Sequence, residues 1–166
     1  MTSNKWMFLA ATLAVVPCAA RAQTVLTLRT LSFDAAHEAA TAALEACRKN
    51  GYKVTVTVLD NRGGTKVILH DDGANPHTIE NSLRKAYTSL TFRVPSGEYG
   101  KRIVANPQAV GALHLDRITT LEGALPIKAG NDIVGSMGIS GAPGGDKDAA
   151  CVQAGLDRIA KGLAGN

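Results

Sequence analysis

The chain has 166 residues, 45% of them hydrophobic, and a formal charge of +4 at pH 7, which is the length and apolar content of one domain with a single core. Two of its cations, Lys5 and Arg21, fall in residues 1–22, which hold no acid, so the remaining 144 residues carry only +2. That balance, with no basic tract interleaved with aromatics and no later segment apolar enough to span a bilayer, argues against a nucleic-acid partner and against a membrane span.

Residues 1–22 read as a secretory signal peptide. Lys5 precedes an apolar run from Trp6 to Val16, and Ala20-Arg21-Ala22 has the small-x-small pattern of a cleavage site. The expected mature chain is residues 23–166, periplasmic or secreted. Residues 25–31 alternate loosely and are expected to form a first strand. Ser32 can cap a helix whose inner face carries Ala36, Ala40, Ala43, Leu44 and Cys47, and Asn50-Gly51 stops it. Residues 53–60 give the clearest strand. Val54, Val56 and Val58 face one way, and Thr55, Thr57 and Leu59 the other. Turn residues 60–64 lead to a partner strand over 65–71.

Asn75 then reads as a helix N-cap and Pro76 as the first helical residue. Ile79, Leu83, Ala86, Tyr87 and Leu90 form an apolar stripe expected to pack on the sheet, and His77, Asn81, Arg84, Lys85 and Thr88 repeat that spacing on the other side. This second face suits a ligand that carries a metal and acidic groups; it equally suits a solvated surface. Pro95, Pro107 and several glycines break residues 91–122 into a short helix and loops. Residues 125–129 and 132–140 form a second hairpin through Gly130-Asn131. Asp146 caps a last helix with Val152, Leu156, Ile159, Ala160 and Leu163 on its apolar face. Two hairpins with helices between them predict a single α+β domain, a central antiparallel β-sheet of about five strands packed with α-helices.

The glycine-rich stretch from Gly135 to Gly145 fails both nucleotide patterns. Asp146 separates the last glycine from Lys147, and the G-x-x-G-x-x-G spacing lies inside a strand. Its glycines serve either close packing and turning or an anion-holding nest. The histidines His37, His70, His77 and His114 lack zinc-site spacing, and His77 is the best placed to meet a ligand. No nucleophile motif or catalytic constellation is present, so an enzyme is not the expected reading. Cys47 and Cys151 suit a disulfide in an exported chain, or two separate buried thiols. If the first and last helices cover the same sheet face, their ends bring the two cysteines together.

Taken together, Val54-Thr55-Val56-Thr57-Val58-Leu59-Asp60 with Arg62-Gly63-Gly64, Asp72-Gly73-Ala74 through Lys85-Ala86-Tyr87-Thr88, Leu125-Pro126-Ile127-Lys128, Val134-Gly135 through Gly138-Ile139-Ser140-Gly141, and Gly144-Gly145-Asp146-Lys147-Asp148 resemble the GlcG/HbpS family of haem-binding proteins. That family also includes the C-terminal domain of PduO-type proteins. The resemblance covers nearly all of residues 23–166. It implies an α+β domain that assembles into symmetric homo-oligomers, often octamers, and that binds haem or a related small ligand. Glu122-Gly123-Ala124 stands where the family usually has a glycine run, and a glutamate there would repel haem propionates.

On this reading the protein is an exported haem-binding or haem-handling protein. His77 is the expected haem-iron ligand and Arg84 and Lys85 the expected partners of the propionates, with Asn81 and Thr88 beside them. The alternative is a binding module, or an enzyme, for a small organic acid without haem, its carboxylate held by Arg84, Lys85 and the 138–145 loop.

Overall fold

The structure is a computed structural model and describes residues 25–164. The signal peptide read at residues 1–22 lies outside the described residues. The elements in order are α1 (Phe33–Lys49), β1 (Thr55–Asp60), β2 (Thr65–His70), α2 (His77–Phe92), α3 (Ser96–Ala105), a 3-10 helix (Pro107–His114), β3 (Ala124–Ala129), β4 (Asp132–Ser140) and α4 (Gly145–Ala164).

The sheet has four strands in the order β2-β1-β4-β3, every neighbouring pair antiparallel. Each hairpin contributes one edge strand, and the β1–β4 pairing joins the two. The strand expected over residues 25–31 does not form. The Leu31 amide bonds to the Val134 carbonyl at 3.0 Å and the Arg29 guanidinium reaches the Ala129 carbonyl at 3.2 Å and Asp132 at 3.0 Å, but the segment joins no strand ladder, and Val25, Leu26 and Leu28 stay exposed. Apolar alternation alone does not make a strand when few side chains find a surface to cover.

The alternation of β1 sends its residues to two different layers. Val54, Val56 and Val58, with Met137, Ile139 and Ile127, form the main core beneath α1 and α4. α1 starts where the Ser32 hydroxyl accepts from the Ala35 amide. It ends at Gly51, whose φ of 76° lets the Gly51 and Tyr52 amides return to the carbonyls of Arg48 and Cys47. Small residues set the spacing of α1 and α4. A Cβ placed on Gly155 would stand 2.8 Å from that of Ala43. Both helices cover the same sheet face, and the Cys47–Cys151 disulfide is present, with Cα atoms 5.5 Å apart.

α2 lies on the other face and is rotated from the orientation its apolar pattern predicts. Thr78, Ser82, Lys85, Ala86, Thr88 and Ser89 are its buried residues. Ile79 is 41% exposed, and Leu83, Tyr87 and Leu90 are half-buried, so of the predicted stripe only Ala86 is buried. The cause is Gly138 in the centre of β4. A Cβ there would come within 2.7 Å of the Ala86 amide nitrogen, so the helix backbone rests almost directly on the strand and only small side chains fit between. The polar groups so buried pair across the interface: Thr55 with Thr78 at 2.7 Å, Thr57 with Ser82 at 2.8 Å, and the Ser136 hydroxyl donating to the Ala86 carbonyl at 2.8 Å.

The entry to α2 also differs from the capping pattern. Pro76 has helical dihedrals (−55°, −38°), but Asn75 contributes its carbonyl rather than its side chain, accepting from the Thr78 amide and hydroxyl. Arg93, at φ 60°, ends the helix, and α3 follows Pro95 to build a small second cluster of Tyr99, Ile103 and Ile118.

Candidate functional site

A cleft of ≈ 370 Å³ opens beside the start of α2. Asn75, His77, Asn81 and Lys85 form one wall, the β4–α4 connection from Ser140 to Asp148 the other, and Leu121 with Glu122 close the third side. His77 leaves its imidazole exposed because it begins the helix, where no neighbouring turn covers it. Asn81 lies one turn on, and its amide donates to the Ser140 hydroxyl at 3.0 Å.

Lys85, a further turn along, is 4% exposed. Its ammonium donates to the Asp148 carboxylate at 2.7 Å and to the Ile139 carbonyl at 3.0 Å. Asp148 also accepts from the Ala142 amide at 3.0 Å, which closes the loop between β4 and α4. Burial pushes the Asp148 carboxyl above the usual carboxylate range, and the Lys85 charge pulls it partly back. Gly123 makes room for this pair. Its φ is 129°, and a Cβ there would stand 2.9 Å from the lysine nitrogen and 2.7 Å from the Asp148 Cβ.

His77, Asn81 and Lys85 therefore meet at one cleft, whereas Arg84 and Thr88 point elsewhere. Arg84 donates to the Ile118 carbonyl at 2.8 Å, and the Thr88 hydroxyl accepts from the Thr119 amide at 2.9 Å. Both anchor the segment after the 3-10 helix. The two cations expected to meet an acidic ligand are thus bonded to the protein itself. In the sequence Asp148 stands only within the Gly144-to-Asp148 segment of the resemblance. Its partnership with Lys85 has a signal only once α2 is known to bury its polar face, since a buried ammonium requires an acid.

The other histidines lie away from the cleft. His37 stacks on Phe33 with ring centroids 5.9 Å apart, the Nδ1 of His70 meets the Thr55 hydroxyl at 2.7 Å, and His114 is exposed at the end of the 3-10 helix. A larger cavity, ≈ 650 Å³, lies between residues 28–32, α1 and the end of α4. Its charged lining is already paired, Arg29 with Asp132 and Arg158 with Glu38, and it contains no histidine. Among the described residues no group of three or more His, Cys, Asp or Glu could hold a metal ion by itself, and no helix is long and apolar enough to cross a membrane.

The four-stranded antiparallel sheet, backed by α1 and α4 and fronted by a helix that opens a cleft at its first turn, defines a distinct class of single-domain α+β protein. The chain belongs to the HbpS-like family, whose model, described as haem degrading protein HbpS-like, matches residues 31–157. A double mutant of HbpS from Streptomyces reticuli shares this fold with a TM-score of 0.77 and 36% identity, over 87% of this chain and 97% of that one. The PduOC:haem complex has the same fold at 22% identity and TM-score 0.71, over 78% of this chain and 95% of that one. A 15.0 kDa protein from the dhaT-dhaS intergenic region of Citrobacter freundii is 26% identical over 116 residues, 69% of this chain and 82% of its own length.

Proposed function

We propose that this is an exported haem-binding or haem-handling protein that takes haem at the α2 cleft, with His77 as the iron ligand, and works as a symmetric homo-oligomer. The observation that carries the assignment is the exposed His77 imidazole on a cleft where, among the described residues, no group of three or more His, Cys, Asp or Glu could hold a bare ion. One imidazole is insufficient for a free cation but suits an iron that brings four ligands of its own. Family membership and the haem-bound relative support the same choice. The cleft volume is at the small end of ligand pockets, about 300–1,000 Å³. Leu121 and Ala142 offer apolar wall to a porphyrin edge. Lys85 and Arg84 are already bonded within the protein and Glu122 adds an acid, so the propionates draw their counterions from outside this wall. The same facts weigh against the small-acid reading, which needs a free cation here.

Self-association is supported by the turned-out side of α2. Ile79 is exposed beside the half-buried Leu83, and Ile68 on the edge strand β2 is 43% exposed. Export rests on the signal read at residues 1–22 and is checked by cell fractionation and by a mature N-terminus at Gln23.

Titration of the mature protein with hemin tests the assignment. A Soret shift is expected in wild type and a weaker, displaced one in His77→Ala. Equal shifts and affinities would remove His77 from the site, and no shift in wild type would remove haem. A Soret band that bleaches with time in the presence of a reductant would separate haem breakdown from simple binding.

A further inference from the structure

Two consecutive residues at the end of α1 hold opposite walls of the cleft. Cys47 is bridged to Cys151, one turn beyond Asp148 in α4. Arg48 grips the buried Asp71 carboxylate at 2.6 Å, and the Asp71 backbone carbonyl accepts from the Ala74 amide, just before Asn75 and His77. The first two turns of α4 are therefore fastened on two sides, to Lys85 by the Asp148 ion pair and to α1 by the disulfide. A separate opening of ≈ 340 Å³, lined by Ala46, Tyr52, Lys147 and Cys151 among others, borders the bridge on its Cys151 side, with the Lys147 cation on its wall; Cys151 is 3% exposed and Cys47 is fully buried.

We propose that the Cys47–Cys151 bridge is a reducible tether that controls the cleft: oxidised, it holds the 144–148 wall against Lys85; reduced by a dithiol, it frees that wall and weakens ligand binding. In the exchange, a thiolate of the dithiol attacks the Cys151 sulfur from the side of this opening. The Cys47–Cys151 bond breaks, and the Cys47 sulfur leaves as a thiolate and takes a proton. The second thiol of the reductant then attacks the reductant's own sulfur in the mixed disulfide and releases Cys151 as a thiol. Two electrons and two protons pass to the protein, and the dithiol becomes a disulfide. α4 stays docked in the reduced form because Val152, Gly155 and Ile159 still pack in the core.

The ligand half of this proposal rests on the haem reading of the cleft; the tether half does not, and one experiment separates them. Amide hydrogen exchange is compared for oxidised protein, for protein reduced with dithiothreitol and freed of it under nitrogen, and for Cys47→Ala/Cys151→Ala, alongside hemin titration of each. The expected result is exchange about tenfold faster at Ala142, Lys147 and Asp148 with β1 unchanged, and hemin affinity lowered about tenfold. Unchanged exchange at those three amides overturns the tether. Loss of protection throughout β1 in the reduced protein also overturns it, since the bridge would then be a staple of the whole fold. Faster local exchange with unchanged hemin affinity overturns its control of the cleft. Failure of oxidised protein to bind hemin overturns the haem reading, while the exchange data still decide the tether.

Discussion

The ammonium of Lys85 and the carboxylate of Asp148 lie 2.7 Å apart, both almost fully buried, and they join the front helix to the start of the last one across β4. Each charge is tolerable only because the other is there. Asp148→Leu is expected to destabilise the domain by about 3–5 kcal/mol, because it leaves an unpaired buried ammonium. Lys85→Met/Asp148→Leu, which removes both charges, should cost far less than the sum of the two single changes. Urea unfolding of the four proteins measures the coupling; additive losses would show that the pair does not act as a unit.

Asp71 carries an acid-side contribution to stability. The hydrogen bond from Arg48 holds its carboxyl below the usual carboxylate range, ahead of the opposing effect of burial. A carboxyl with a depressed folded-state pKa stabilises the fold above its unfolded value of 3.8 and loses that contribution as pH falls through the folded value. Asp148, raised by burial, contributes in the opposite sense: its charging disfavours the fold as pH rises from 3.8 to the raised value. Asp71→Asn should therefore lower stability at neutral pH and flatten its decline in acid. Midpoints of thermal unfolding between pH 2 and 7 read this directly. A variant with the wild-type acid slope would remove Asp71 from the account.

Gly138 sets the height of α2 above the sheet. Gly138→Ala should force the helix outward or distort it, at a cost of about 1–3 kcal/mol, since the new Cβ would meet the Ala86 amide nitrogen at 2.7 Å. Gly162→Ala, with open space around the new Cβ, is the contrasting change and should leave stability unchanged or slightly raised. Denaturant midpoints of the two variants make the comparison.

The outward apolar side of α2 predicts an interface. Ile68→Glu/Ile79→Glu should reduce the particle mass measured by light scattering without loss of monomer secondary structure, because both residues lie outside the core. An unchanged mass would place self-association on another surface.

Much of the architecture was legible along the chain. The alternation of Val54, Val56 and Val58 with Thr55, Thr57 and Leu59 marks a strand covered on both faces, and the two turn clusters divide the hairpins. The apolar faces of α1 and α4 mark both as packing helices; that they cover the same sheet face, and so bring Cys47 to Cys151, is a fact of the fold. These signals are local, because each is a period or a turn within a few residues. The orientation of α2 is not local. It follows from Gly138, more than forty residues away in sequence, whose missing side chain admits the helix backbone and selects Ser82 and Ala86 over Ile79 and Leu83. That one rotation buries Lys85 and Thr88, leaves Ile79 outside, and brings His77, Asn81 and Asp148 to a common cleft. Sequence periodicity thus determined which residues share a face of the helix. Which face the sheet accepted was decided only by tertiary packing, through the steric limit at a single glycine.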